Sequence, residues 1–216
     1  MPKSVTISGP SVASGAITHT VNYSLNPSFE VNVTDDWTFG QAGAGATINL
    51  DATQYKVGTK SARMRAGNNM AWFYTIAGVS VPNGATVSIS CWMRCSADPT
   101  AGKAQLLGQE IGVITRITCN ATVASNGAWE YLSGPWTNTT GVAKTIAITI
   151  FNSFSDSAAD VWVDACQLEL ASAASAYTDG AQGEGHSWAG AAHNSVSTWT
   201  EPASVGFVTV IPYMMV

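Results

Sequence analysis

Hydrophobic and polar residues alternate with a period of two along most of this chain. The clearest run spans residues 85–95, where apolar side chains at every second position share one face: Val87, Ile89, Cys91 and Met93. Because successive residues of a strand point to opposite faces, this pattern predicts a half-buried β-strand. Similar patterns predict strands at residues 46–52, 61–65, 70–76, 112–121, 129–136, 144–151 and 159–169. No segment shows the 3.6-residue period of an amphipathic helix.

Short strands separated by turn signals such as Pro82-Asn83-Gly84 are typical of sandwiches and jelly rolls. We therefore predict an all-β fold, a jelly-roll β-sandwich of two antiparallel sheets with an extended N-terminal arm and a C-terminal extension. The polar, Ser/Thr-rich residues 1–24 form the predicted arm, and residues 25–170 form the jelly roll. Residues 171–216 form the extension, which starts with the small residues ASAAS and carries a terminal strand at 205–210.

The predicted strand at 159–169 carries a carboxylate in its middle. Strict alternation puts Val161, Val163 and Ala165 on one side of the strand. It puts three other side chains on the opposite side: Trp162, Asp164 and Cys166. An unpaired charge at Asp164 would be costly inside a sheet.

The low charge of this chain and the short length of its apolar runs argue against two classes of function. Charged residues make up 11% of the sequence, less than half of the usual share of about 25%. The net charge is −5, and the nine Lys and Arg residues are scattered. Nucleic-acid binding needs clustered basic residues, so we expect none. No apolar run approaches the ~20 residues that span a bilayer, so we expect no membrane insertion.

The N-terminus and the cysteines bear on where the protein is made. MPKSVTISGPSVASG lacks the apolar region of a signal peptide, so we expect synthesis in the cytoplasm and release by cell lysis. We predict four reduced, buried cysteines. Cys91 and Cys95 lie too far apart along one strand for a bridge. A Cys119–Cys166 disulfide remains open, although cytosolic synthesis disfavours it.

Several motifs follow one another in a familiar order. Asn26-Pro-Ser-Phe-Glu30 is followed by Trp37, Gly58-Thr-Lys-Ser61, the strand at 87–94, Trp129 and the strand at 161–169. This order resembles the carbohydrate-binding-module-like jelly roll, which has a galactose-binding-like topology. The later motifs Tyr177-Thr-Asp-Gly, Trp188-Ala-Gly and His193-Asn-Ser resemble a segment that follows such domains in bacteriophage tail and virion proteins. The resemblance covers about residues 24–197, and the arm and terminal strand favour a small virion protein over an accessory module.

The resemblance implies a structural calcium. In this family a Glu after the first strand and an Asp in the last strand lie near the ion, which implies Glu30 and Asp164 as ligands. Calcium binds oxygen atoms, including backbone carbonyls, which the loop at 51–60 would supply. The alternative is that both carboxylates accept hydrogen bonds from backbone or Arg groups. We expect no other cofactor.

Aromatic side chains are the candidates for glycan binding, because sugar sites stack pyranose rings on Trp and Tyr. Trp72 and Tyr74 share one strand face, and Trp92 shares another with Arg94. The alternative is that these rings fill the core and the space between the sheets, which is the commoner use of Trp in a β-domain.

The sequence argues against an enzyme. Glycoside hydrolysis needs two carboxylates ~5–9 Å apart. Glu110 and Glu130 are the acids of the middle strands, and each is typical of a solvated surface group. All three histidines lie in arm-like segments: His19, His186 and His193. No GxSxG or HExxH motif is present.

The extension carries three aromatic residues in a Gly/Ser/Ala-rich segment that cannot fold alone: Tyr177, Trp188 and Trp199. We predict that they dock onto a neighbouring subunit, and the alternative is a wrap over the same domain. The predicted function is a non-enzymatic bacteriophage virion protein, a minor tail or capsid-decorating subunit. It would bind other virion proteins in a homo-oligomer or larger assembly, and host surface glycans. The alternatives are a free lectin-like module of a bacterial secreted system and a glycan-processing enzyme.

Overall fold

The computed structural model describes residues 18–67, 70–98, 102–113, 116–154 and 158–201. Within these residues the structure consists of β-strands and irregular segments, with no helix that is long and apolar enough to cross a membrane. The strands in chain order are β1 (Thr18–Asn22), β2 (Trp37–Ala42), β3 (Thr47–Asp51), β4 (Ser61–Arg65), β5 (Met70–Thr75), β6 (Val79–Val81), β7 (Thr86–Cys95), β8 (Ala104–Glu110), β9 (Arg116–Thr122), β10 (Glu130–Thr137), β11 (Lys144–Asn152), β12 (Asp160–Glu169), β13 (His186–Trp188) and β14 (Ser197–Thr200).

These strands form three antiparallel sheets. The β7 sheet has the order β10-β7-β12-β4-β3. The β5 sheet has the order β2-β5-β11-β8-β9, and β6 pairs with β11 beside it. A small third sheet has the order β1-β14-β13. One core lies between the two large sheets, which confirms the predicted jelly-roll sandwich.

The core is built by the alternation seen in the sequence. All four apolar residues of the run at 85–95 are fully buried: Val87, Ile89, Cys91 and Met93. Ile148 and Ile150 of β11 face them from the other sheet and are equally buried. Trp37 stacks on Phe73 at one end of the core, with ring centroids 4.5 Å apart. Each large apolar side chain buried in this way stabilises the fold by roughly 1.5–3 kcal/mol.

A β-bulge in β12 changes which side chains face the core. The pairing of β12 with β7 slips between Asp164 and Gln167. Ala165 lies in the slip with φ of 51°, the left-handed conformation that one class of bulge requires at its first position. The extra residue turns Cys166 into the core. The expectation that Cys166 shares a face with Trp162 and Asp164 is therefore wrong, because strict alternation takes no account of a bulge.

Three cysteines are free thiols in the buried part of the domain. They are Cys91, Cys95 and Cys166. Burial, and next the neighbouring Cys91 thiol, raise the pKa of Cys166 well above its ordinary value. Because Cys166 is a free thiol, the Cys119–Cys166 disulfide that the sequence left open is not formed in this structure; the side chain of Cys119 itself lies outside the described residues.

Some predicted elements differ from the observed ones. Strands β2 and β8 do not correspond to any predicted strand. Strand β9 begins at residue 116 rather than 112. The predicted terminal strand at 205–210 lies outside the described residues, as do residues 1–17 of the predicted arm.

The end of the predicted arm and the predicted extension meet in the small sheet. Strand β1 pairs with β14, from Thr18 opposite Thr200 to Asn22 opposite Ser197. Strand β13 pairs with the other edge of β14. The two segments, far apart in sequence, therefore form one structural element.

Buried amides attach this element to the jelly roll. The side chain of Asn22 is fully buried and donates to the carbonyl oxygens of Cys166 and Thr178 at 3.0 and 3.1 Å. Its Oδ1 accepts the backbone N–H groups of Ser24 and Leu168 at 3.0 and 3.1 Å. These buried hydrogen bonds join the jelly roll to the extension, so residues 171–201 pack as part of the same folded unit.

Candidate functional site

Two aromatic side chains lie in register on the outer face of the β5 sheet, the face turned away from the core. Trp72 of β5 lies opposite Phe151 of β11. Their ring planes differ by 16°, and the ring centroids lie 6.0 Å apart. The Trp72 indole lies across Gly40, its partner on β2. A Cβ at position 40 would collide with the indole Nε1, so glycine is what allows the indole to lie over the strand.

Two further rows of side chains continue along this face. Thr38, Tyr74, Thr149 and Leu107 lie side by side on four strands. Beyond them, Ala147 of β11 lies opposite Gln109 of β8. A cavity of about 370 Å³ opens at this end of the face. The face thus combines aromatic rings with amide and hydroxyl groups.

On β2, β5, β11 and β8 the rows of this outer face carry no charged side chain, while Arg116 of β9 pairs with Gln109 at the end of the third row. The residues of these rows on the first four strands are Thr38, Gly40, Trp72, Tyr74, Gln105, Leu107, Gln109, Ala147, Thr149 and Phe151. Ligand sites commonly combine apolar and aromatic surface with a few polar groups that fix orientation. The rows around Trp72 therefore suit a ligand with both hydroxyl groups and apolar C–H faces.

The other two glycan candidates, Trp92 and Arg94, lie on the β7 sheet, across the sandwich from Trp72 and Tyr74. The Lys56 Nζ lies 3.9 Å from the ring centroid of Trp92. The Arg94 guanidinium lies 5.5 Å from the ring centroid of Trp162. These cation–π contacts occupy ring faces that a sugar would need. The four predicted residues therefore do not form one site.

Asp164 lies against the loop between β3 and β4. The backbone N–H groups of Lys56 and Val57 donate to its Oδ2 at 2.7 and 2.8 Å. The N–H group of Ala165, in the bulge, donates to Oδ1 at 2.7 Å. Burial raises the pKa of Asp164 to about 7, although these three donors lower it and Glu30 raises it further. The mid-strand carboxylate is thus hydrogen-bonded to a loop far away in sequence.

Glu30 lies against the same loop. The N–H group of Thr59 donates to its Oε1 at 3.0 Å, and the Thr59 hydroxyl donates to Oε2 at 2.7 Å. Lys60 donates its own N–H to Oε1 at 3.3 Å. Gly58 has φ of 67°, a conformation that favours glycine, and a Cβ there would collide with Glu30.

The contacts of Glu30 and Asp164 favour the hydrogen-bonded alternative, and a calcium ion at this loop stays a prediction. Calcium needs oxygen ligands, whereas the loop presents N–H donors to both Glu30 and Asp164. Among the described residues, no three Asp, Glu, His or Cys side chains come together as a metal site. The geometry fits the alternative, in which both carboxylates accept hydrogen bonds and hold the loop.

The three docking candidates contact their own chain. The Tyr177 hydroxyl donates to Asp179 Oδ2 at 3.0 Å, and burial of that hydroxyl raises its pKa well above the ordinary value. Each tryptophan packs beside a histidine of the extension, with ring centroids 5.2 Å apart for Trp188 and His193 and 6.4 Å apart for Trp199 and His186. These contacts fit the alternative of a wrap over the same domain.

The two candidate catalytic acids also have protein partners. Glu110 pairs with Lys144 Nζ at 2.9 Å. Glu130 accepts the N–H groups of Ala124 and Ser125 at 2.9 and 2.6 Å. Burial would raise the pKa of Glu130, but hydrogen bonds from Ser125 and Ala124 bring it below the ordinary value. The two acids lie on β8 and β10, in different sheets, and neither belongs to the aromatic face.

Sequence reasoning missed the partners that Trp72 and Tyr74 find on other strands: Gly40, Thr149 and Phe151. Strand order brings these residues together, and alternation within one strand does not reveal strand order. A glycine inside a strand often marks a close approach of another group, which is the one signal that pointed to position 40.

Comparison with known proteins agrees with this geometry. Residues 21–158 match the family model described as a carbohydrate binding domain. The CBM22-1 xylan-binding domain of Paenibacillus barcinonensis Xyn10C is 19% identical, with a TM-score of 0.50 over 71% of this chain and 98% of that one. A Family 16 Carbohydrate Binding Module-2 structure is 16% identical, with a TM-score of 0.52 over 68% of this chain and 99% of that one.

A third similar structure comes from a virus. The enzymatically active domain of bacteriophage CBA120 tailspike protein 4 is 12% identical, with a TM-score of 0.53 over 69% of this chain and 21% of that one. At these identities the structural matches show the fold alone. No curated protein sequence matches the chain. The family match covers well over half of the residues, and the chain belongs to the carbohydrate binding domain family.

Proposed function

We propose that this chain is a non-catalytic module that binds a neutral polysaccharide across the outer face of the β5 sheet. The observation that carries the proposal is the Trp72 indole, which lies across Gly40 in register with Phe151. A flat aromatic surface complements the apolar C–H face of a sugar ring. The hydroxyl group of Tyr74, in the next row of the same face, is suited to hydrogen-bond a hydroxyl group of the sugar.

The rows of this face on β2, β5, β11 and β8 carry no charged side chain, which supports a neutral glycan in contact with Trp72. The similar domain of P. barcinonensis Xyn10C is a xylan-binding domain, so xylan is the first neutral polysaccharide to test.

Affinity electrophoresis and calorimetry with xylan, other neutral polysaccharides and an anionic polysaccharide test this proposal. Trp72→Ala should weaken binding by about tenfold or more, because aromatic contacts are worth about 1 kcal/mol beyond the buried area. Trp92→Ala is the matched control, since it removes an indole from the opposite sheet. Loss of binding in Trp92→Ala with full binding in Trp72→Ala would refute the assigned face.

The same assays address catalysis. We expect no release of reducing sugar from a bound polysaccharide, because Glu110 and Glu130 are paired within the protein and lie in different sheets. Turnover that Glu110→Gln or Glu130→Gln abolished would overturn the non-catalytic assignment.

A finer proposal places the module on a bacteriophage particle, as a minor tail or capsid-decorating subunit that contacts host glycans. The motifs at 177–195 and the low charge of the chain support it. The expected result is that mass spectrometry finds the protein in purified particles and that the isolated protein binds those particles. Absence from particles, together with polysaccharide binding by the isolated protein, would favour the alternative of a free lectin-like module, which the site geometry fits equally well.

A further inference from the structure

The cavity at the end of the aromatic face differs in chemistry from the Trp72 surface. Its volume is about 370 Å³. Its walls are largely apolar, and the residues that matter here are Tyr74, Ile76, Gln109, Ile111, Val113 and Ala147. Three of them are large apolar side chains that remain exposed: 57% for Ile76, 39% for Ile111 and 44% for Val113. Such a cluster next to a binding face points to a ligand rather than to the core.

A sugar ring is a poor occupant of this cavity. The walls formed by the described residues are mostly apolar in area, so several of its hydroxyl groups would leave water without a partner, at about 1–3 kcal/mol each. A purely aliphatic chain is also a poor fit, because Gln109 lies in the wall. The Gln109 Oε1 accepts a hydrogen bond from the Thr149 hydroxyl at 3.0 Å, which leaves the amide NH₂ as a donor for the ligand.

An acyl ester suits both the apolar walls and the amide donor of Gln109, since it has an apolar body and one carbonyl acceptor. Size decides which acyl group. A water molecule takes up about 30 Å³ in the liquid, so a partly open cavity of about 370 Å³ has room for a group of roughly a dozen non-hydrogen atoms or more. An acetyl group supplies about three of these atoms, whereas a hydroxycinnamoyl group supplies about a dozen.

The cavity lies next to the surface that is proposed to bind the polysaccharide. Tyr74 lines the cavity and lies two residues from Trp72 on the same face of β5. Two residues of a strand span about 7 Å, so the cavity begins one row from the aromatic surface. We propose that it binds an aromatic acyl ester carried by the polysaccharide, with the ring among Tyr74, Ile111 and Val113 and the ester carbonyl on Gln109. This inference rests on the proposed function, because the ester is a substituent of the glycan bound at Trp72.

A pair of matched ligands tests the inference. One is a hydroxycinnamoyl-esterified neutral polysaccharide, and the other is the same sample after mild alkaline removal of the esters. Calorimetry with the full chain should show at least about tenfold tighter binding of the esterified sample, from the additional apolar burial. The methyl ester of a hydroxycinnamic acid should bind weakly on its own. In excess, it should lower the affinity for the esterified sample to that of the unesterified sample and leave the latter unchanged.

Variants at the cavity should remove that advantage and keep binding of the unesterified sample. Ile111→Ser and Val113→Ser each truncate an exposed wall residue of the cavity. Val142→Ser is the control, since Val142 is 58% exposed and does not line the cavity.

The outcomes separate this inference from the proposed function. Equal binding of the two samples, with no binding of the methyl ester, overturns the inference and leaves the polysaccharide site standing. Binding of the methyl ester with neither polysaccharide bound overturns the proposed function and supports the chemistry assigned to the cavity. Loss of the ester advantage in Val142→Ser as well as Ile111→Ser also overturns the inference.

Discussion

Asp164 should control how the stability of this domain depends on pH between about pH 4 and 7. Its carboxyl is fully buried, and burial raises its pKa from 3.8 to about 7. The folded state therefore binds the Asp164 proton more tightly than the unfolded state does. Stability from this group is fully present below pH 3.8 and is lost as pH rises through about 7.

The size of the effect follows from the pKa difference. About three pH units separate 3.8 from about 7, and each is worth about 1.4 kcal/mol, so the free energy of unfolding should fall by about 4 kcal/mol across this range. Asp51 titrates elsewhere. Burial would raise its pKa, but hydrogen bonds from Thr53, Trp162 and Gln54 lower it to about 2, so its contribution is lost only as pH falls below about 4.

Urea unfolding at intervals from pH 4 to 8, in the presence of a chelator, measures this dependence. Asp164→Asn removes the titrating group and should flatten the curve, whatever its effect on stability at any single pH. Glu184→Gln removes one carboxyl from an exposed position and should keep the slope of the unmodified protein. A curve for Asp164→Asn that falls as steeply as that of the unmodified protein would refute the reasoning, as would stability that rises from pH 4 to 7.

Other predictions concern the contacts that hold the extension, the loop and the aromatic face. Asn22→Ala should lower the free energy of unfolding by about 3–5 kcal/mol in urea titrations, because the carbonyl of Cys166 and the N–H groups of Ser24 and Leu168 lose their partner. Gly58→Ala should cost about 2 kcal/mol in the same assay, since alanine is strained at φ of 67° and its Cβ would displace Glu30. Gly40→Ala should displace the Trp72 indole and weaken polysaccharide binding about tenfold in calorimetry, with a smaller change in stability. Removal of calcium with EDTA should leave the melting temperature unchanged within about 1 °C, because N–H groups occupy the carboxylates of the loop site, and a drop of several degrees would contradict this.

Much of the fold could be predicted from alternation, because one face of each large sheet is buried. The run at 85–95 shows this most clearly, since its apolar face is the core face of β7. Prediction failed where the backbone departs from the regular pleat. The bulge at Ala165 reverses the alternation in β12, and alanine gives no signal of a left-handed residue. Strand β8 was missed because residues on both of its faces are buried, so its sequence does not alternate between apolar and polar residues.

The candidate site was predictable only in part, for a topological reason. The shared face of Trp72 and Tyr74 follows from their spacing of two. Their placement beside Phe151 depends on β5 lying next to β11, which no pattern within β5 encodes. Trp92 shows the reverse case. Its outward position was predictable, but the cation–π contact with Lys56 comes from a loop that is distant in sequence.

The pairing of Thr18 with Thr200 has a consequence for how this unit connects to other polypeptide. Residues paired across an antiparallel ladder have Cα atoms about 5 Å apart, so the chain enters and leaves the folded unit at one place. Such a unit can be inserted into a surface loop of an unrelated protein without forcing the ends of that loop apart. It also lends itself to circular permutation, because a linker of a few Gly and Ser residues from Thr200 to Thr18 would close the chain and free the turn at Asn83-Gly84 for new termini.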